Sequence, residues 1–88
     1  MNLEELMERY ADGDVEAFEE LHARLRPRIV ATLRRWLTAD DRIDDAVQAT
    51  LLTLHRSRAR YRRDEPVLPW VLTIARNVAA PARDSRSS

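Results

Sequence analysis

The chain has no cysteine and, among its 88 residues, a single glycine. Without cysteine there can be no disulfide, no thiolate metal ligand and no thiol nucleophile, which fits a cytoplasmic protein. With Gly13 alone, a glycine-rich phosphate cradle is excluded, because such loops need several permissive backbone positions. Lysine is missing too: all 15 basic residues are arginine. No uncharged run approaches the roughly 18 residues of a membrane span, and the first residues lack a signal-peptide pattern, so no membrane partner is expected. What remains is enough for one small domain, near the lower size at which a single core supports itself.

The neutral overall charge conceals a gradient. Residues 1–48 hold 12 acids and 7 arginines, a net −5, whereas residues 49–88 hold 3 acids and 8 arginines, a net +5. Arginine makes forked contacts to phosphate and stacks on flat rings, so this polarity suits one end that meets a polyanion and another that avoids it. Solvated helix faces would give the same numbers, and charge alone does not choose between the two.

Taken in order, the chain reads as an all-α, compact bundle of about four helices over residues 1–80. Asn2 followed by Glu5 makes a capping-box-like start, and Leu3, Leu6, Met7 and Tyr10 share one stripe. Asp12, Gly13 and Asp14 break that helix, and Asp14 suits the N-cap of a second. Its stripe is Phe18, Leu21, Leu25, Ile29, Leu33 and Trp36, with a kink or short interruption expected at Pro27. Residues 38–41 form a connector in which Asp40 or Asp41 caps the next helix.

The third helix, about residues 42–57, has Ile43, Val47, Thr50, Leu51 and Leu54 as its core stripe. At about 100° per residue, Asp45, Ala49, Leu52 and Arg56 point the other way, with Gln48 at their margin. Leucine beside alanine on an outward face is either a docking surface or an ordinary exposed leucine, and spacing does not decide. Next comes an arginine-rich loop, Arg58, Arg60, Tyr61, Arg62, Arg63, Asp64, Glu65 and Pro66, whose proline stops any helical run.

A fourth helix starts near Leu68, with Pro69 in its first turn and a buried stripe of Val67, Val71, Ile74, Ala75 and Val78, Trp70 lying at the edge. Thr73, Arg76 and Asn77 share the opposite side. Asn77 can offer donors and acceptors to a base edge, and Arg76 can reach phosphate or base; a polar face meeting water is the plain alternative. Pro81 is expected to halt the helix, leaving residues 81–88 as a mobile tail. His22 and His55 have no paired spacing for a metal, and Ser57 beside His55 makes no triad, so no enzyme, cofactor or metal is expected.

The segment DDAVQATLLTLHRSRARYRRDEPVLPWVLTIARN resembles region two of the extracytoplasmic-function sigma factors of bacterial RNA polymerase. The likeness is specific at Asp44-Asp45-x-Val47-Gln48 and at Trp70-Val71-x-x-Ile74-Ala75-Arg76-Asn77. Upstream, GDVEAFEELHARLRPRIV resembles the family's opening helices. The resemblance implies that the third helix docks on the clamp helices of the polymerase's largest catalytic subunit through Asp45, Gln48, Ala49 and Leu52, with Arg56 at the rim. It also implies that the loop and the fourth helix bind the non-template single strand of the minus-ten promoter element, one base being flipped into a loop pocket. Residues 61–66 would form that loop, with Asn77 contributing from the helix. Arginines around the loop would neutralise phosphates without reading sequence. Tyr61 could stack on a base or pack, packing being the expected role, and Trp70 belongs to the core.

Several positions depart from the family pattern. Pro81 stands where an acid is common, which points to a shortened DNA-facing helix. Ala46 replaces a larger aliphatic and Ala49 an acid, changes that would weaken or retune clamp docking. The family's second domain has no counterpart here, and residues 81–88 are where a linker to it would begin. An anti-sigma protein is a further partner the resemblance implies. A sigma-like decoy or adaptor, gripping polymerase or an anti-sigma protein without melting DNA, is the alternative reading.

Overall fold

A computed structural model describes residues 1–63 and 65–87, with side chains as far as Ala80; Asp64 and Ser88 lie outside the described residues. Four helices follow one another: α1 (Leu3–Ala11), α2 (Val15–Leu33), α3 (Asp40–Ser57) and α4 (Val67–Ser87), with one 3-10 turn (Arg58–Arg60) after α3. Among the described residues there is no strand.

Local chemistry sets the first boundaries. The Asn2 side chain accepts from the Glu5 amide at 2.8 Å, and Asp14 accepts from the Ala17 amide at 3.2 Å. Each bond satisfies one of the amides that a helix start leaves without a partner. Gly13, at φ +102°, makes the tight reversal between α1 and α2, a conformation costly for any residue with a side chain. α2 then runs helical through Pro27, which is exposed on its outer side. The expectation that Asp40 or Asp41 caps α3 is corrected: Ala39 is the cap residue and makes no side-chain bond. Both aspartates sit in the first turn instead, where negative charge meets the positive end of the helix dipole.

The core is continuous. Leu6, Met7 and Tyr10 of α1 meet Ala17, Leu21, Leu25, Ile29 and Leu33 of α2, and Ile43, Ala46, Val47, Leu51 and Leu54 of α3 close over them. Thr50 is fully buried, and its hydroxyl donates to the Ala46 carbonyl at 2.7 Å, so no polar atom is stranded. On α4 the buried stripe is Val67, Val71, Ala75 and Ala79, one residue every turn. The expected Ile74 and Val78 are only half-buried at its margins. Two alanines on the inner line let this helix approach closely, and the larger side chains splay to either side.

Pro81 does not end α4. The helix extends through it to Ser87, so the expected stop, and with it the shortened helix, is corrected. A proline inside a helix removes one amide and crowds the carbonyl four residues back, which weakens the helix without compelling it to stop. Pro27 within α2 is the same case.

The start of α4 is fixed from a distance. Glu4 Oε2 on α1 accepts from the Val67 amide at 2.8 Å, across 63 residues of sequence. Because Pro69 lacks an N–H, Val67 is one of few first-turn amides needing a partner. Glu4→Ala should lower stability by about 1–2 kcal/mol, seen as a fall of several degrees in Tm, while Glu4→Gln, which keeps an acceptor, should lose less. Thermal unfolding by circular dichroism tests this, and an unchanged Tm in Glu4→Ala would leave the cap without energetic weight.

Candidate nucleic-acid and protein-docking surfaces

Two exposed surfaces gather nearly all the residues singled out in the sequence. On α3, Asp45, Gln48, Ala49, Leu52 and Arg56 are all exposed and fall on one face, because the opposite stripe is held in the core. Leu52 is 49% exposed, one of three large apolar side chains in this state among the described residues, with Met1 and Val15. Asp45, Gln48 and Arg56 have no hydrogen-bond or ion-pair partner among the described residues. Beside this face Ala46 and Ala49 floor a shallow groove of about 350 Å³, walled by Leu37, Arg42, Asp45, Val78 and Ala79. The face therefore offers an apolar spot framed by polar groups and unspent charge.

The second surface runs from the loop onto α4. The loop is tied down at several points. The Tyr61 hydroxyl donates to the Glu65 carbonyl at 2.7 Å, and its ring lies 5.6 Å from the Trp70 ring, half-buried against the core. The Glu65 amide donates to the Arg62 carbonyl at 2.9 Å, closing the turn. Tyr61 thus shapes the loop from within, and Trp70 is a partly buried packing residue, as the sequence suggests. Pro66 and Glu65 are exposed; Asp64 lies outside the described residues.

The loop arginines divide into two groups. Arg58 is half-buried and turns back on α3, its Nη1 donating to the His55 carbonyl at 2.6 Å. Arg63 reaches α1, with Glu8 at 3.7 Å and Asp12 at 3.6 Å. Those contacts are well exposed and worth at most about 1 kcal/mol each, less in salt. Arg60 and Arg62 are exposed and have no side-chain partner among the described residues. On α4, Thr73, Arg76 and Asn77 are exposed on one side, away from Val71, Ala75 and Ala79. The Thr73 hydroxyl donates to the Pro69 carbonyl at 2.9 Å. Arg76 and Asn77 keep their side chains free among the described residues.

Sequence reasoning missed two groupings. Phe18 stacks on Tyr10 at 4.7 Å and lies between His22, at 5.7 Å, and His55, at 6.3 Å, so the fold joins two histidines that are distant in sequence. The Tyr10 hydroxyl is hydrogen-bonded to His55 Nδ1, and burial pushes the phenol above its ordinary pKa, opposed by the Arg58 guanidinium. The second grouping places Thr32, Arg35 and Trp36 opposite Thr73 and Arg76. The Arg34-Arg35-Trp36 run was its only trace in the sequence. Among the described residues no cluster of three or more histidines or carboxylates could hold a metal ion, and no helix is long and apolar enough to cross a membrane.

The described residues thus form an all-helical domain with a partly apolar outward face on α3 and a separate cationic loop and helix. Residues 21–87 match the family described as Sigma-70 region 2. The chain belongs to that family, a family of non-enzymatic transcription initiation factors. It is 43% identical over 76 residues to the RNA polymerase sigma factor CarQ of Myxococcus xanthus, covering 86% of this chain and 44% of that protein. It is 32% identical over 74 residues to the ECF RNA polymerase sigma-E factor of Haemophilus influenzae, covering 84% of this chain and 39% of that one. The chain thus spans less than half the length of these relatives. A solved structure, the NMR complex of an engineered region 2 of sigmaE with GTAAAA, shares the fold at a TM-score of 0.88 and 23% identity, over 99% of this chain and 90% of that one.

The internal bonding of the loop gives a stability prediction. Tyr61→Phe keeps the ring, removes the bond to the Glu65 carbonyl and should cost about 0.5–1.5 kcal/mol in urea unfolding. Tyr61→Ala also removes the ring from Trp70 and should cost clearly more. Equal losses in the two variants would mean that the ring contributes nothing to the loop.

Proposed function

We propose that the chain is the promoter-recognition domain of an extracytoplasmic-function sigma factor. In this reading α3 docks on the clamp helices of the polymerase through Asp45, Gln48, Ala49, Leu52 and Arg56. The loop and α4 hold the non-template strand of the minus-ten element and capture one flipped base, which promotes melting in the cytoplasm where the polymerase works. Residues 1–80 make up the working unit, and an anti-sigma protein covering either surface would silence it.

The observation that carries the proposal is Asn77, exposed beside Arg76 on the side of α4 opposite its buried stripe, on the helix that directly follows the loop and its exposed Arg60 and Arg62. A side-chain amide held there by a packed helix can read a base edge, which an arginine on phosphate cannot. Support also comes from the family match over residues 21–87 and from the solved structure of the same fold, an engineered region 2 of sigmaE in complex with GTAAAA. Extruding a base costs a few kcal/mol, which a shaped pocket must offset. With the Tyr61 hydroxyl bonded to the loop's own backbone and its ring against Trp70, that offset falls to the pocket's shape and to Asn77. A helix ending at Pro81 would favour the decoy reading over DNA binding. α4 extends to Ser87, so that support is gone.

Two measurements test the proposal. Asn77→Ala should flatten discrimination between minus-ten and scrambled single-stranded oligonucleotides while leaving the far-ultraviolet spectrum unchanged. Undiminished preference would remove Asn77 from the readout. Gln48→Arg combined with Leu52→Glu should abolish co-purification with the isolated clamp helices without loss of helicity, since both residues are exposed. Retained binding would refute the docking face.

A further inference from the structure

Four arginines have ion-pair partners among the described residues: Arg24 with Glu20, Arg26 with Asp44, Arg34 with Asp40 and Arg63 with Glu8 and Asp12. Arg35 has none. Its neighbour Arg34 turns to Asp40, while Arg35 faces a groove of about 460 Å³ between the end of α2 and the outer side of α4. Thr32, Arg35 and Trp36 form one wall, and Pro69, Leu72, Thr73 and Arg76 the other. Among the described residues no carboxylate lines it, and neither Arg35 nor Arg76 has a partner. Two guanidiniums sharing a concave groove repel each other, and a bound anion between them would turn that repulsion into attraction.

We propose that this groove is a phosphate-binding cleft for the nucleic-acid backbone, with Arg35 and Arg76 as its two prongs. Guanidinium matches a phosphodiester through forked hydrogen bonds, and the Thr32 hydroxyl stands in the same wall. Arg76 precedes Asn77 on the same helix side as Thr73, so a strand whose base meets Asn77 has its backbone within reach of the cleft. The proposal extends the DNA reading of α4 and rests on it for the choice of nucleic acid over another polyanion. It assigns to Arg35, on the turn after α2, a positioning contact that holds the strand and reads no sequence.

The test uses the 88-residue chain and its Arg35→Ala, Arg35→Lys and Arg35→Glu variants. Each is titrated with minus-ten and scrambled oligonucleotides, single-stranded and duplex, over a salt series. Arg35 is exposed, so all variants should keep wild-type helicity. Arg35→Ala should weaken every sequence by a similar factor, about threefold to tenfold at low salt, and should reduce the log–log salt slope by about 0.7–0.9. Arg35→Lys should retain most of the slope, and Arg35→Glu should lose more than alanine. A larger loss on duplex than on single strand, or the reverse, identifies which form occupies the cleft, and either supports it. Unchanged affinity and slope in Arg35→Ala would overturn the cleft even if the wild type prefers minus-ten sequences. Conversely, a wild type without sequence preference whose DNA affinity still falls with Arg35→Ala would sustain the cleft and sink the promoter reading. Loss of binding to an acidic peptide with DNA binding intact would assign the groove to a protein and overturn the proposal.

Discussion

The carboxylate of Glu4 on the Val67 amide fixes the point at which the chain resumes helical structure after the loop. Everything outward on α4 follows from it. With Val67 held at the first turn, Val71, Ala75 and Ala79 must follow along the core, because a helix repeats its direction about every four residues. Thr73, Arg76 and Asn77 then have no place except the opposite side. A start displaced by one residue would rotate the helix by about 100° and turn Asn77 toward its neighbours. Capping from α1 also places a negative charge at the positive end of the α4 dipole, so the contact is favourable both as a hydrogen bond and as a charge interaction.

The same contact explains much of the charge gradient. A chain whose first part is acidic and whose second is basic could be arranged for a polyanion, or could carry solvated charge alone. The fold adds a third use. Acidic α1 lies against the start of α4 through Glu4 and against the loop through Glu8 and Asp12, which engage Arg63. Arg58 is turned onto the His55 carbonyl, at the negative end of α3. Two of the loop's cations therefore hold the loop in shape, and among the described residues Arg60 and Arg62 of the loop and Arg76 of α4 are left without a partner. Exposed ion pairs of this type weaken in salt, so the loop should rely on the Tyr61 hydrogen bond and ring for its form more than on its charges.

The parts of this fold that were legible in the sequence are those governed by short spacings. The Asn2 and Asp14 caps, the α2 stripe from Leu21 to Leu33 and the outward face of α3 each depend on residues three or four apart, and each stands where the pattern puts it. Asn77 was readable for the same reason. Contacts that depend on packing were not. Nothing in the sequence pairs Glu4 with Val67, or places Phe18 between His22 and His55, because the first pairing forms only when α1 and α4 come together and the second only when α2 and α3 do. Pro81 misled for another reason. Proline opposes helix by a finite amount, and a helix already propagating can absorb it, as α2 does at Pro27. The α4 stripe departs from its large apolar residues Ile74 and Val78 because the line closest to the core is filled by the small Ala75 and Ala79.

The two surfaces differ in how they can tolerate change, and the difference follows from what anchors them. On α3 the outward residues share one helix with Val47, Thr50, Leu51 and Leu54, which are buried, so the outward face is as rigid as the core itself. Its apolar content is small, Leu52 with two alanines, so on the proposed reading affinity for a partner helix would come from fit and from the polar groups of Asp45, Gln48 and Arg56. The other surface joins a rigid helix to a loop held by a few bonds. On the proposed reading, selectivity belongs to the rigid side, where Asn77 is fixed, while the loop adapts its pocket around a captured base. A reader fixed in place and a pocket able to close around its target are complementary, since the helix sets register before the loop incurs the cost of ordering. Substitutions in the loop and at Arg76 should then alter how tightly a strand is held, and substitution of Asn77 should alter which strand is chosen.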